Sequence, residues 1–219
     1  MGHVERMMLR LSRAGRLTTD TTADGIRDRM ARDWQLAARA GSDASMLAHH
    51  RSDVADLNRR ARARLVAFGD VGEVLVMAGD LELAVGDRVM TTRNNRRLGL
   101  VNGTVGRVTG AIDGGIVVEE RDGRRHHVPL AYIERGHVTH AYASTIHKYQ
   151  GGTCDELLFL GDDTLYAEAG YTAITRGRER NQLYVVRGES GDGLDAVRRA
   201  LERSGAKQTA TEQRRVRHG

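Results

Sequence analysis

The sequence is poor in several features, and each shortage excludes a class of protein. Its 219 residues include one cysteine, Cys154, and one proline, Pro129. A single cysteine rules out an internal disulfide and gives no metal cluster. Aromatic residues make up 4% of the chain, so an extended base-stacking platform is not expected. No apolar run approaches the roughly 20 residues that span a bilayer, and no apolar signal region follows Met1. We therefore expect a cytoplasmic protein with no membrane partner.

The chain does have the composition of a folded domain with a small excess of positive charge. Hydrophobic residues form 40% and charged residues 29% of the sequence, which allows an ordinary core. Lys and Arg together number 34 against 29 for Asp and Glu, a net charge of +5. This excess suits a phosphate-rich partner, although from charge alone a solvated, arginine-rich surface is the simpler explanation.

Hydrophobic spacing predicts an α/β layer before residue 73. A strand at residues 46–48 separates two helices, of which the first ends at Gly41 and the second is capped by Ser52 or Asp53. Polar residues 18–22 predict a loop. The buried stripes of the two helices are Ile26, Met30, Trp34 and Ala37, and then Val54, Leu57, Ala61 and Leu65. A strand that alternates with helices favours a parallel sheet.

The pattern changes in the middle of the chain and changes back after residue 136. Three turn signals, Asn102-Gly103, Asp113-Gly114 and Asp122-Gly123, lie among short apolar runs. The predicted strands are 74–78, 87–92, 104–109, 115–120 and 124–128, and five short strands with tight turns predict a small β-barrel. Beyond it we predict strands at 157–160 and 182–186, a helix over about 166–177, a short amphipathic helix after residue 193 and a disordered tail.

Two polar blocks in the last third of the chain are too rich in donors for an ordinary strand or surface helix. The first is Ala143–Gly152, with the sequence ASTIHKYQGG, and we expect its donors to lie at the start of a helix. The second is Tyr171–Arg180, with the sequence YTAITRGRER. A histidine such as His147 is as often structural as functional, and no second metal ligand lies at helical spacing from it.

These blocks resemble the fifth and sixth conserved motifs of superfamily 1 DNA helicases. The combination is similar to the helicase region of TraA-type, MobF-class conjugative relaxases, which are RecD-like. Residues 46–62 resemble the segment that carries the fourth motif, and residues 86–108 resemble the small β-barrel inserted in the second motor domain. The resemblance covers most of residues 1–190.

The resemblance implies a discontinuous RecA-like α/β domain with helices on both faces of a parallel sheet. Its first segment would be 1–72, the inserted barrel 73–136 and its second segment 137–190. Residues 191–219 would form a short helix and a basic tail. Such a domain closes over ATP and Mg²⁺ held by a first RecA-like domain and moves along single-stranded DNA.

The family pattern also implies roles for individual residues. Arg176 matches the catalytic arginine finger, a cation that reaches the γ-phosphate when the cleft closes. Thr145, His147 and Lys148 match the path of single-stranded DNA. Nucleotide-binding roles fall on Gln150, Gly151, Arg51 and Arg180, with His50 an alternative to Arg51 and Arg178 an alternative to Arg180. Thr153 stands where many relatives carry a glutamate that helps to hold the nucleotide sugar.

One part of a complete motor is missing from the sequence. The phosphate-binding loop G-x-x-x-x-G-K-[S/T] requires a Gly-Lys pair, which the chain lacks. We therefore expect no ATPase activity and no tightly bound cofactor in this chain alone, and no metal site. The alternatives are a DNA-binding or docking module that keeps the helicase fold without hydrolysis, and a purely structural remnant.

Overall fold

In a computed structural model, residues 11–149, 152–162, 176–187 and 192–202 are described. The chain divides into two compact units. Unit 1 comprises Met1–Leu57 and Ser144–Gly219, and unit 2 comprises Asn58–Ala143. Unit 2 is wider than the barrel predicted for 73–136, so the predicted domain boundaries stay a prediction.

Unit 1 is built on a five-stranded sheet with the order β1-β12-β11-β2-β10. Strands β1, β12, β11 and β2 run parallel. One row of leucine and phenylalanine side chains crosses the sheet, because Leu17 and Phe159 both pair with Leu183, and Phe159 also pairs with Leu47. The strands are β1 (Leu17–Asp20), β2 (Ala44–Ala48), β10 (Ala143–Thr145), β11 (Cys154–Gly161) and β12 (Gly177–Val186).

Helices cover both faces of this sheet, as predicted. Helix α1 (Ala23–Arg39) lies on one face, where Asp33 accepts a hydrogen bond of 3.0 Å from the Tyr184 hydroxyl. Helix α4 (Asp192–Glu202) lies on the other, where Val197 packs in a core cluster with Leu183. Neighbouring residues of a strand point to opposite faces, so a strand such as β2, with all five residues buried, is sandwiched between two apolar layers.

The sequence predicted α1 well and the start of the next helix poorly. The stripe of α1 is confirmed, and all four of its residues are at most 8% exposed. Helix α2 (Arg51–Ala67) begins at Arg51, where the His50 carbonyl accepts the first helical hydrogen bond from Val54. Ser52 and Asp53 therefore lie inside its first turn and are not its cap. The Asp53 carboxylate instead accepts a 2.6 Å hydrogen bond from Arg27 of α1.

The prediction of a loop at residues 18–22 was wrong for residues 18–20 and holds for residues 21–22. Leu17–Asp20 form β1, which pairs in parallel with β12 from Leu183 to Val186. The Leu17 side chain is partly buried and packs against the core. Thr18 and Thr19 are β-branched residues, which suit a half-buried strand. The strand was missed because its partner strand lies far away in the sequence.

Unit 2 contains an antiparallel sheet with the order β8-β7-β6-β5-β9 and a separate β3-β4 hairpin. The five predicted strands are confirmed with shifted ends, whereas β4 and β9 were not predicted. The elements are β3 (Val74–Ala78), β4 (Leu81–Ala84), β5 (Arg88–Thr91), a 3₁₀ turn (Arg96–Leu98), β6 (Val105–Ile112), β7 (Gly115–Glu119), β8 (Arg125–Pro129), α3 (Leu130–Glu134) and β9 (Val138–His140).

A closed barrel is not confirmed. Within residues 58–143, all of which are described, β8 and β9 are the two edges of the sheet. Asp113-Gly114 and Asp122-Gly123 form the predicted turns, and Gly114 has a φ of 71°. Asn102-Gly103 forms a turn, but it lies within the longer connection from β5 to β6. It is therefore not a two-residue hairpin.

A buried network of polar side chains holds unit 2 together. Asp87 is 0% exposed, and both of its oxygens accept from Nε of Arg62 at 2.9 and 3.0 Å. The Tyr142 hydroxyl and the Ala84 backbone N–H also donate to Asp87. Burial of Asp87 opposes its ionisation, but hydrogen bonds from His140, Tyr142, Ala84 and Arg62 lower the pKa of Asp87 to about 2. The charge pair is therefore structural.

Candidate functional site

Arg176 lies directly before β12, at the amino edge of the parallel sheet of unit 1. Its carbonyl oxygen accepts a hydrogen bond of 3.2 Å from the Cys154 N–H, at the start of β11. Cys154 is buried in the core, so this backbone contact attaches Arg176 to the interior of unit 1. The predicted helix over 166–177 lies outside the described residues up to 175, and Gly177 already belongs to β12.

The next residue, Gly177, is clamped by one side-chain amide. Asn181 accepts from the Gly177 N–H and donates to the Gly177 carbonyl, both at 2.9 Å. A Cβ atom at Gly177 would lie 2.2 Å from the Arg180 carbonyl oxygen, so no larger side chain fits without a backbone shift. The backbone that follows the Arg176 side chain is therefore held in place.

The Arg176 guanidinium differs from the others nearby. Its side chain is half-buried, and its Nε is shielded from solvent with no hydrogen-bond acceptor among the described residues. Buried donors in folded proteins almost always have a partner. A guanidinium nitrogen in this state has the capacity to bind an additional acceptor.

Arg178 and Arg180 are exposed residues of β12. Arg178 pairs with Asp155 at 2.8 Å. Arg180 lies 3.8 Å from Glu156 and donates to the Gln182 side chain at 3.2 Å. Cross-strand carboxylates on β11 thus occupy these two arginines, in contrast to Arg176.

Over its residues 143–149 the first polar block forms a strand end and a turn, not the predicted helix start. Thr145 closes β10, and its hydroxyl accepts from the Lys148 N–H at 3.4 Å. Ile146 is buried in the core, and the Tyr149 hydroxyl donates to Ser45 at 3.3 Å. His147 and Lys148 lie between these two anchors and are exposed. The turn therefore presents two basic side chains from a fixed backbone.

A group of histidines lies where β2 and β11 end. His49 and His50 follow β2, and their rings contact edge to face at 5.0 Å. The His50 Nε2 is 3.9 Å from Asp162, which follows β11. Burial lowers the pKa of His49, and His50 and His147 lower it further, whereas Asp162 acts in the opposite direction. His147 is thus close enough to His49 to act on it.

The structure brings some predicted site residues together and separates others. Thr145, His147 and Lys148 share one turn. Arg51 begins α2 beyond the carboxyl end of β2, whereas Arg176 precedes the amino end of β12, so these two lie at opposite edges of a parallel sheet. Gln150 and Gly151 lie outside the described residues. No group of three or more metal-ligating side chains among the described residues has the arrangement of a metal site.

Sequence reasoning missed Asn181 and His49, and it named His50 and His147 without bringing them together. Asn181 had no motif to mark it, because its role depends on a bond back to Gly177. The histidines did carry a signal, since polar residues directly after parallel strands converge at the carboxyl edge of the sheet. His49, His50 and Asp162 all occupy such positions.

Comparison with known proteins shows which proteins the chain is similar to. No protein-family model matches it. The conjugal transfer protein TraA of Agrobacterium fabrum is 34% identical over 220 residues, which cover 98% of this chain and 20% of TraA. The chain is a relative of one segment of the TraA proteins. It spans about a fifth of the length of this TraA.

Helicases share the fold of this TraA-like segment. The ATP-dependent DNA helicase Pif1 of Bdellovibrio bacteriovorus is 31% identical over 123 residues, covering 50% of the chain and 28% of the helicase. The crystal structure of Pif1 from Candida albicans matches 86% of the chain and 54% of that protein with a TM-score of 0.52 at 19% identity. The likeness shows the fold, so unit 1 is a RecA-like α/β sheet with helices on both faces. Among the helices described, none is long and apolar enough to cross a membrane.

Proposed function

We propose that this chain is the second motor domain of an ATP-dependent translocase or helicase that acts on single-stranded DNA in conjugative transfer. Support comes from the TraA relative, which is named for conjugal transfer, and from the Pif1 relative, which is named an ATP-dependent DNA helicase. A first RecA-like domain, from the same parent chain or a partner, would supply the phosphate-binding loop that this sequence lacks.

The observation that carries the proposal is the state of Arg176. Its backbone is held by Cys154 and the Asn181 clamp, and its buried Nε has no acceptor within the described residues. A planar guanidinium that never loses its charge is suited to the oxygens of a transferring phosphoryl group. We assign Arg176 as the arginine finger that meets ATP when the two motor domains close.

The turn after β10 is the proposed DNA contact. Thr145 orders it, and His147 and Lys148 project from it into solvent. Cations on a fixed backbone suit the phosphates of a nucleic acid strand. His49 and His50 add further donors near His147.

The nucleotide-binding roles of Gln150, Gly151, Arg51 and Arg180 stay predictions. Arg180 is engaged with Glu156 and Gln182, and Arg51 lies at the sheet edge opposite Arg176. Mg²⁺ would be held with ATP by the first domain, since the described part of this chain offers no cluster of metal ligands.

The test compares ATP hydrolysis by this chain alone and after assembly with a domain that carries the phosphate-binding loop, both with single-stranded DNA. We expect no turnover from the chain alone. Arg176→Ala should lower turnover of the assembled motor by roughly 10³–10⁵-fold, the effect of losing an arginine finger. Arg178→Ala is the matched control, because Asp155 already engages that arginine. Unchanged turnover in Arg176→Ala would remove the finger assignment.

The alternative is a DNA-binding or docking module without hydrolysis. It is favoured if single-stranded DNA binds with a steep salt dependence, Arg176→Ala leaves that binding unchanged and no assembly restores turnover. A structural remnant predicts DNA affinity no greater than that of a generic basic protein.

A further inference from the structure

Unit 2 contains an open basic pocket that none of the functions above uses. It lies between the connection after β5 and the segment that joins β8 to β9, and has a volume of about 460 Å³. We propose that this pocket, lined by Arg93, Asn94, Tyr132, Arg135 and His137, binds a backbone phosphate of single-stranded DNA. This site is separate from the turn at Thr145–Tyr149, and it rests on the proposed function insofar as the chain acts on single-stranded DNA.

Hydrogen bonds fix the walls of the pocket. The Tyr132 hydroxyl donates to the Arg93 carbonyl, and the Thr92 N–H donates to the His137 carbonyl at 2.8 Å. The His137 ring contacts the Tyr132 ring edge to face at 5.1 Å. Tyr132 is 5% exposed, so the floor of the pocket is part of the core of unit 2. A site with fixed walls loses less entropy when it binds a ligand.

The lining carries donors and no carboxylate. Arg93 and Arg135 are exposed, and neither forms an ion pair with any described residue. The Asn94 side-chain oxygen accepts from the Asn102 N–H at 2.7 Å, which leaves the side-chain NH₂ to face outward partners. Burial raises the pKa of Tyr132, so its hydroxyl stays neutral. The pocket therefore selects for an anion.

Phosphodiester is the anion that fits best. Two guanidinium forks and an amide match phosphate oxygens, which guanidinium groups bind in pairs of parallel hydrogen bonds. The pocket opens to solvent beside Arg93 and Arg135, as a continuous strand requires, and its volume exceeds what a lone phosphate would fill.

The test measures binding of a labelled oligothymidylate to the whole chain by fluorescence anisotropy across a range of salt concentrations. Arg93→Gln/Arg135→Gln removes two cations from the pocket. The control Arg124→Gln/Arg125→Gln removes two exposed cations, one directly before β8 and one at its first residue, outside the pocket. Both variants change the net charge equally, and circular dichroism checks that both stay folded.

We expect the pocket variant to reduce the slope of log affinity against log salt by roughly 0.7, the value for one lost phosphate contact on a single strand. At about 0.1 M salt the same slope change weakens binding by roughly fivefold relative to the control. With an abasic oligomer, the pocket variant should bind more weakly than the control variant by the same factor, since the abasic oligomer keeps its phosphates.

Each other outcome overturns the proposal in a distinguishable way. Equal affinities of the pocket and control variants, with binding by the unsubstituted chain intact, reject the pocket and leave the proposed function standing. A loss seen only with the base-containing oligomer rejects phosphate as the ligand. No binding by the unsubstituted chain rejects both the pocket and the DNA path of the proposed function.

Discussion

Two arginines, one in each unit, show how differently the two parts of the molecule use the same side chain. Arg62 of unit 2 is buried, and its Nε bonds both oxygens of Asp87, while Nη1 reaches Glu82 at 3.3 Å. Arg176 of unit 1 is half-buried, and its Nε has no acceptor within the described part of the chain. Arg62 also has a shielded nitrogen without such an acceptor, Nη2, but its charge is paired with Asp87, whereas Arg176 forms no ion pair with any described residue. A buried charge is stable only when paired, so Arg62 belongs to the fold and Arg176 is available for a ligand.

The contrast extends to the surroundings of each arginine. In unit 1 the central strands are apolar, and Arg176, His147 and Lys148 lie at a strand end or in a turn. In unit 2 polar side chains occupy the interior and join α2, β5 and the segment after β9. A charged residue in a sequence is therefore not evidence of a binding site until its partners are known.

Breaking the buried ion pair between Arg62 and Asp87 should give the largest difference in stability between the sites of Arg62 and Arg176. Asp87→Asn keeps the shape of the side chain but leaves the Arg62 charge without its carboxylate. We expect unit 2 to lose about 3–5 kcal/mol of stability, measured by amide hydrogen exchange in β5 and β6. Arg176→Ala should shift urea unfolding, followed by Trp34 fluorescence, by less than about 0.5 kcal/mol. Equal losses from the two substitutions would contradict the division of roles.

Two asparagines that clamp backbone groups give a second, smaller contrast. The buried Asn58 accepts from the N–H groups of Tyr142 and Ala143 at 2.9 Å and donates to the Ala143 carbonyl at 3.2 Å. Asn58→Ala should cost about 2–3 kcal/mol, because buried donors lose their acceptor. Asn181→Ala, at a partly exposed position, should cost about 1 kcal/mol.

Urea titrations of both asparagine variants check these values. The decisive result is that Asn58→Ala loses more stability than Asn181→Ala, whatever the exact size of each loss. The Asn181→Ala variant should also lower ATP turnover of the assembled motor, because its clamp positions Arg176. If turnover stays at the level of the unsubstituted protein, the clamp is structural only.

Acid should weaken the buried pair without any substitution. Asp87 has a pKa of about 2 in the folded state against 3.8 unfolded, so its contribution is complete above about pH 4 and is lost as pH falls toward 2. The shift corresponds to about 2 kcal/mol. Hydrogen exchange in unit 2, compared between pH 5 and 2.5 after correction for intrinsic rates, should show this loss in the unsubstituted chain and little of it in Asp87→Asn.

Local pattern was enough to predict much of unit 1. The stripe of α1 and the apolar runs of β2, β11 and β12 are properties of neighbouring residues, and the structure confirms them. The strand Leu17–Asp20 was not predicted, because it is formed by pairing with Leu183–Val186, which lies far away in the sequence. The prediction of the α2 cap failed because Ser52 and Asp53 suit either a cap or a first turn, and in the structure both lie in the first turn.

Partners explain the remaining differences at the site. The resemblance singled out Arg176 from Arg178 and Arg180, and the ion pairs of the latter two with β11 distinguish them further. Asn181 and Asp87 carry no local signal, since each acts through residues that are near in space. The strands β4 and β9 are short, and their edges are defined by pairing more than by composition.

The pairing of β1 with β12 also sets an order for synthesis. Unit 2 ends at Ala143, so it can fold on the ribosome while β12, which ends at Val186, has not yet been made. At about 5–20 residues per second, the delay is on the order of seconds. During that time β1 has no partner strand and the row from Leu17 to Leu47 is incomplete. Protease treatment of stalled nascent chains should find unit 2 protected first, and simultaneous protection of both units would contradict this order.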